Sequence, residues 1–141
     1  MYFVYLLQSI SDEKKTYIGC TQGINRRLEQ HNGIRSGGAR RTRTHRPWRV
    51  VCFVSGFESK EDALRFEYMW SHLGNLQNLT PQRRRLAAQF TVLGRILYSE
   101  DFIGCDYPVV FIDPVDIPIF RSTPFGRHYR DVRVCAGMEM F

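Results

Sequence analysis

Lysine is nearly missing from this basic chain. Three lysines stand against seventeen arginines, and arginine's planar fork suits bidentate contacts to phosphate. Cysteine is sparse and scattered. Cys20, Cys52, Cys105 and Cys135 form no CxxC pair and no cluster with histidine, which excludes a structural zinc site of the usual ligand spacing. An intracellular protein of this size does not need a disulfide framework, so all four are expected as free thiols, with Cys52 buried in a strand. No apolar run approaches the roughly 20 residues that span a bilayer, so no membrane contact is expected. The first residues, Met1-Tyr2-Phe3-Val4-Tyr5, enter an apolar strand without a basic leader. That argues against a secretory signal and for an intracellular site of action, nucleus or cytoplasm. Internal repeats and low-complexity segments are absent too.

What is present is an ordinary globular composition, 43% apolar and 13% aromatic, which excludes disorder as the default. At 141 residues the chain is large enough for one domain with a real core. Its net charge of +6 is unevenly spread, with +9 over residues 1–95 and −3 over residues 96–141. The densest part, Arg35, Arg40, Arg41, Arg43, Arg46 and Arg49, lies in a window without a single acid. A solvated surface would account for the charge alone. Its clustering on one candidate loop points to a polyanion, nucleic acid first.

Val4–Leu7 and Thr16–Gly19 read as a hairpin joined by a polar turn. A helix over about residues 24–32 comes next, facing the sheet through Ile24 and Leu28 and stopping at Asn32-Gly33. Residues 33–47 read as a glycine- and arginine-rich loop. Trp48–Ser55 is the clearest strand. Ser59-Lys60-Glu61-Asp62 has the look of an N-cap, opening a helix to about Leu73. Thr80-Pro81 and the spacing of Leu86, Phe90, Leu93 and Leu97 predict a third helix. Tyr107–Pro114 reads as one strand, and Pro118 and Pro124 argue against long elements beyond it. The expected class is α/β (α+β): a small three-stranded antiparallel-type sheet flanked by helices, residues 1–98, with an extended tail over residues 99–141 that packs on the domain or meets a partner.

Five side chains carry chemistry. Tyr5 and Tyr17 lie on neighbouring strands of the hairpin, so their hydroxyls can converge on one side. Arg27 and His31 are one turn apart on one helical face. Glu67 falls on the apolar side of its helix, among Ala63, Phe66 and Trp70, where a structural helix has little use for a carboxylate. Two phenols, a guanidinium, an imidazole and a carboxylate are the parts needed to grip and cut a phosphodiester with one divalent ion.

The pattern Val4-Tyr5, Tyr17-Ile18-Gly19, Arg27-x-x-x-His31, Glu67 resembles the GIY-YIG nuclease superfamily. The strings Tyr5-Leu6-Leu7-Gln8-Ser9, Arg26-Arg27-Leu28-x-Gln30-His31-Asn32-Gly33, Gly37-Gly38-Ala39-x-Arg41-Thr42, Arg46-Pro47-Trp48 and Ala63-Leu64-Arg65-Phe66-Glu67-x-x-Trp70 look like its eukaryotic structure-selective DNA endonuclease branch, in order. The resemblance covers about residues 2–98. Phe3 stands where the family name has glycine, and that position is not a catalytic group. The resembled subunit also carries a C-terminal RING-like zinc module, for which this sequence has no ligands.

The resemblance implies a metal-dependent endonuclease acting on flaps, forks or Holliday junctions in DNA repair or recombination. Glu67 would hold Mg²⁺ or Mn²⁺, hard ions that keep most of their waters. Arg27 would clamp the scissile phosphate, and His31 would hydrogen-bond a phenol or phosphate. Tyr5 is the choice for orienting or deprotonating the attacking water, with Tyr17 supporting it or taking that role. Arg35, Arg40, Arg41, Arg43, Arg46 and Arg49 would grip DNA phosphates, with Arg65 joining them and Arg83-Arg84-Arg85 as either a second contact or a solvated turn. A scaffold protein or a second copy are the expected protein partners. Competing readings are a catalytically silent nucleic-acid-binding module and a subunit inert until a partner aligns it, with acidic residues 96–141 covering the basic face in cis.

Overall fold

Strict alternation in the first hairpin sorts its side chains onto two faces of a sheet. The structure, a computed structural model, describes residues 1–76, 86–99 and 104–135. β1 (Phe3–Ser9) runs antiparallel to β2 (Thr16–Thr21), with Tyr5 opposite Gly19 and Leu7 opposite Tyr17. On one face Phe3, Tyr5 and Leu7 pack with Val50, Phe53 and Ile24 in a smaller core. On the other, Val4 and Leu6 join the main core. β1 is buried along its whole length, as expected for a strand covered on both faces.

Helix α1 (Ile24–His31) lies on the smaller core, buried through Ile24 and His31. β3 (Trp48–Phe57) pairs with the other side of β1, with a register shift between Leu6 and Leu7. Helix α2 (Lys60–Leu76) starts as its sequence predicts: the Ser59 hydroxyl accepts from the Asp62 amide at 3.2 Å. Ala63, Phe66 and Trp70 of α2 sit in the main core beside Phe90, Leu93 and Ile96 of α3 (Leu86–Leu97). The predicted start of that helix at Thr80-Pro81, and Arg83, Arg84 and Arg85, lie outside the described residues. Among the described residues no helix is long and apolar enough to cross a membrane.

The α+β class holds, and among the described residues the sheet has five strands where three are expected. β4 (Cys105–Ile112) pairs antiparallel with β3, and β5 (Val132–Val134) pairs parallel with β4. The order is β2-β1-β3-β4-β5. The described part of the tail, residues 104–135, is therefore folded onto the sheet rather than extended. Between its strands run α4 (Ile117–Ser122) and α5 (Pro124–His128), each opened by a proline in its first turn. Phe120, Phe125 and Tyr129 enter the main core. The Tyr129 hydroxyl closes the segment by donating to the Pro108 carbonyl at 2.6 Å.

One ion pair ties this segment to the strands that precede it. Arg49 on β3 donates to both carboxylate oxygens of Asp116, at 2.7 and 2.8 Å, and to Gln8 Oε1 at 2.8 Å. Asp116 is 2% exposed, so removing its carboxylate strands a partly buried guanidinium. Asp116→Ala should lower unfolding free energy by about 2–4 kcal/mol, read by urea denaturation. A loss under about 0.5 kcal/mol, the level of an exposed pair, would contradict this role.

Candidate active site

Because Tyr5 faces Gly19 across the ladder, the residue at position 19 decides where the phenol can go. A Cβ there would lie 2.3 Å from the Tyr5 hydroxyl oxygen, so glycine is what leaves room for the ring. The Tyr17 ring, next along β2 on the same face, lies 6.4 Å from the Tyr5 ring and 4.9 Å from the His31 ring, centroid to centroid. The two tyrosines and the histidine thus form one aromatic cluster between the hairpin and α1.

His31 is 0% exposed, and both ring nitrogens are engaged. Nε2 is 2.7 Å from the Tyr5 hydroxyl. Nδ1 is 2.7 Å from the hydroxyl of Thr42, the last residue of a 3₁₀ turn, Arg40–Thr42. Burial first, then the charges of Arg27 and Arg46, push the His31 pKa down to about 4, so the ring is neutral at pH 7 and carries a single N–H. The network assigns that proton. The Thr42 hydroxyl donates to the Ala39 carbonyl at 2.9 Å; two oxygens that close with no proton between them would repel. With its one proton spent, the hydroxyl accepts from Nδ1–H. Nε2 is left as an acceptor for the Tyr5 O–H.

Tyr5 is 2% exposed. Its pKa is driven well above the usual phenol value, chiefly by burial, with the Arg27 hydrogen bond opposing and the charges of Tyr17 and Glu67 adding. Arg27 donates from Nε to the Tyr5 oxygen at 3.4 Å and from Nη1 to Gln30 Oε1 and the Gly37 carbonyl, each at 2.8 Å. Its Nη2 makes no hydrogen bond among the described residues.

Glu67 is half-buried. Burial raises its pKa, and the positive charge of Arg27 offsets part of that rise. Its charge is felt on both faces of the sheet. Tyr5 lies on the α1 face, and Cys20, packed against the main core on the α2 face, has its pKa raised to about 11 by burial and then by Glu67. The helix that carries Glu67, α2, packs against β2, an edge strand of the sheet. Among the described residues no group of three or more His, Cys, Asp or Glu could hold a metal ion. A divalent cation here would have the Glu67 carboxylate as its one such ligand among the described residues. That carboxylate is partly stripped of water, so a hard cation keeping its own waters suits it.

The arginine window divides. Arg40, Arg41 and Arg43 are exposed on and just after the 3₁₀ turn. Arg35 is exposed and pairs with Glu29, and Arg65 pairs with Asp62 at 3.8 Å. Arg46 donates from Nε to the His31 carbonyl at 2.7 Å while remaining exposed. Arg49 is a correction: Asp116 and Gln8 occupy its fork, so it is not available to DNA phosphate. Among the described residues that pair is the one salt bridge from the acidic tail to the window. Among the described residues, the tail leaves Arg40, Arg41 and Arg43 exposed. Sequence reasoning misses Thr42, which enters it only as the end of a string of family-like residues. Nothing in one sequence marks a threonine as a partner of a histidine eleven positions away.

The family model of the GIY-YIG catalytic domain matches residues 1–78. Among curated proteins, the chain is similar to the structure-specific endonuclease subunit slx1 of Aspergillus terreus, 39% identical over 133 residues, which is 86% of this chain and 32% of that protein. The corresponding subunit of Kluyveromyces lactis is 51% identical over 74 residues, 50% of this chain and 26% of that protein. That of Talaromyces marneffei is 44% identical over 80 residues, 55% of this chain and 21% of that protein. The chain thus spans between about a fifth and a third of the length of these relatives.

A neutral buried histidine makes the fold acid-sensitive in a definite window. The unfolded ring takes up a proton near pH 6.5, which the folded ring refuses until about pH 4. The stability tied to His31 is therefore full above about pH 6.5 and is lost as pH falls toward 4, amounting to about 3 kcal/mol over the window. Urea denaturation at pH 7 and near pH 4.5 should show wild type losing about 2 kcal/mol more than His31→Gln. Equal losses would mean that the ring is not held neutral.

Proposed function

The chain belongs to the GIY-YIG catalytic-domain family, and from that premise we propose that it is a metal-dependent, structure-selective DNA endonuclease that hydrolyses phosphodiesters at branched DNA. The observation that carries this reading is the cluster of Tyr5, Arg27 and His31. A guanidinium and a phenol with its proton turned inward meet beside an exposed arginine turn, and the half-buried carboxylate of Glu67 stands on the helix packed against β2.

In this reading Arg27 donates to a non-bridging phosphate oxygen through Nη2 and stabilises the charge that builds there. Tyr5 gives its own proton to the hydrogen bond with His31, so its oxygen presents lone pairs outward to the attacking water. With its pKa held high, Tyr5 rests as a phenol and orients that water. Tyr17 supports the same pocket from β2. Glu67 would hold Mg²⁺ or Mn²⁺, which supplies Lewis-acid stabilisation of the phosphoryl oxygens. Arg40, Arg41 and Arg43 would hold DNA backbone away from the cut, giving sequence-independent and salt-sensitive binding. Arg35, Arg46 and Arg65 stand near enough to the surface to add to it. On this reading residues 1–98 carry the nuclease, and residues 99–141 extend its sheet.

The relatives' names describe each as a subunit. That supports a protein partner for this chain, a scaffold or a second copy.

Glu67→Gln separates nuclease from binding module. With Mg²⁺ or Mn²⁺ and a panel of single-strand, duplex, flap and four-way DNA, wild type should nick branched substrates. The variant should lose at least about 100-fold in rate with DNA affinity unchanged in a gel shift. Wild type that binds every substrate and nicks none, alone or with a partner, would leave the silent binding module as the reading.

A further inference from the structure

Thr42 sits where the exposed arginine turn meets the buried aromatic cluster. It ends the 3₁₀ turn whose exposed side chains are Arg40 and Arg41, with Arg43 next in the chain. Its own side chain points the other way. Thr42 is 0% exposed, with its hydroxyl between His31 Nδ1 at 2.7 Å and the Ala39 carbonyl at 2.9 Å. The turn is fastened from three sides. The Trp48 indole N–H donates to the Thr42 carbonyl at 2.9 Å, the Thr42 amide donates to the Ala39 carbonyl at 3.1 Å, and Gly38 packs so closely on α1 that an added Cβ would lie 2.3 Å from the Gln30 carbonyl oxygen.

Removing the hydroxyl would leave the His31 N–H at Nδ1 buried without a partner, a costly state for a polar group. The ring escapes by moving its proton to Nε2, where it donates to the Tyr5 oxygen. That exchange reverses the hydrogen bond: Tyr5 then accepts from His31 as well as from Arg27, and its own O–H must point out toward the place of the attacking water. A donor would stand where an acceptor is needed.

Resting on the endonuclease reading above, we propose that Thr42 is a positioning residue that selects the Nδ1–H tautomer of His31 and so fixes the direction of the Tyr5 hydroxyl, from within the turn that grips DNA. The grip and the proton arrangement thereby share one rigid element. Contacts made by Arg40, Arg41 and Arg43 set how tightly DNA is held, and Thr42 sets whether the held phosphate meets a correctly turned phenol.

The test has two arms. Long-range ¹H–¹⁵N correlation spectra of the full chain report which nitrogen of His31 carries the proton. Wild type and Thr42→Ser should show Nδ1–H; Thr42→Val, nearly the same shape without the hydroxyl, should show Nε2–H. In cleavage of a flap duplex, Thr42→Val should lower kcat by about 10- to 100-fold with KM and gel-shift affinity within about twofold, and Thr42→Ser should restore it. Nε2–H in wild type overturns the proposal even if Thr42→Val fails to fold. So does a Thr42→Val variant with altered tautomer and unchanged kcat. Should wild type cleave nothing, the endonuclease reading fails, while the spectra still decide whether Thr42 sets the tautomer.

Discussion

The 2.7 Å hydrogen bond between the Tyr5 hydroxyl and His31 Nε2 is the constraint to which the rest of the site conforms. It joins the first hairpin to α1 across the smaller core. It requires glycine at position 19, because any Cβ there would collide with the phenol. It requires His31 at the very end of α1, with its other nitrogen satisfied by a residue from outside the helix. The loop after α1 is folded back to supply that residue. The Asn32 side-chain amide clamps the base of the loop to the Trp48 backbone through paired hydrogen bonds, 2.9 and 2.5 Å, so the 3₁₀ turn returns to His31.

Electrostatics make this bond neutral. Burial alone would penalise either an imidazolium or a phenolate, and each shifts in the direction that keeps its uncharged form. Charge is kept to the rim: Arg27 on one side, Glu67 on the helix packed against β2, the exposed arginines of the turn beyond. A neutral, directional centre inside a charged rim can orient a water and a phosphate without first having to discharge itself. The half-buried carboxylate of Glu67 is the exception, an acid whose charge burial disfavours, and in the proposed reading that is where a cation would gain most.

The hairpin, both flanking helices and the long strand at 48 were readable because their signals are local: alternation, a Ser-x-x-Asp cap, apolar residues one turn apart. The convergence of Tyr5, Arg27 and His31 was readable from spacing together with family likeness. Of the two added strands, β4 was readable as a strand over Tyr107–Pro114 but without its place in the sheet, and β5 was not readable at all. β4 contains a proline, and β5 is three residues long and pairs in parallel across two intervening helices, so neither has a local signature strong enough to announce its partner. Arg49 was misread for a related reason. Among six arginines in an acid-free window, nothing local distinguishes the one whose counter-ion lies 67 residues further along. Thr42 belongs to the same class, a side chain whose importance depends on a contact made only in three dimensions.

The central claim is that the reaction is run from the Tyr5 hydroxyl in the orientation His31 imposes. It is tested most directly by single-turnover cleavage of a branched duplex with Tyr5→Phe, which keeps the ring in its slot beside Gly19 and deletes only the oxygen. The account predicts a rate lowered by about 100-fold or more, with DNA affinity and thermal stability close to wild type. A variant that cuts at the wild-type rate would place the chemistry elsewhere.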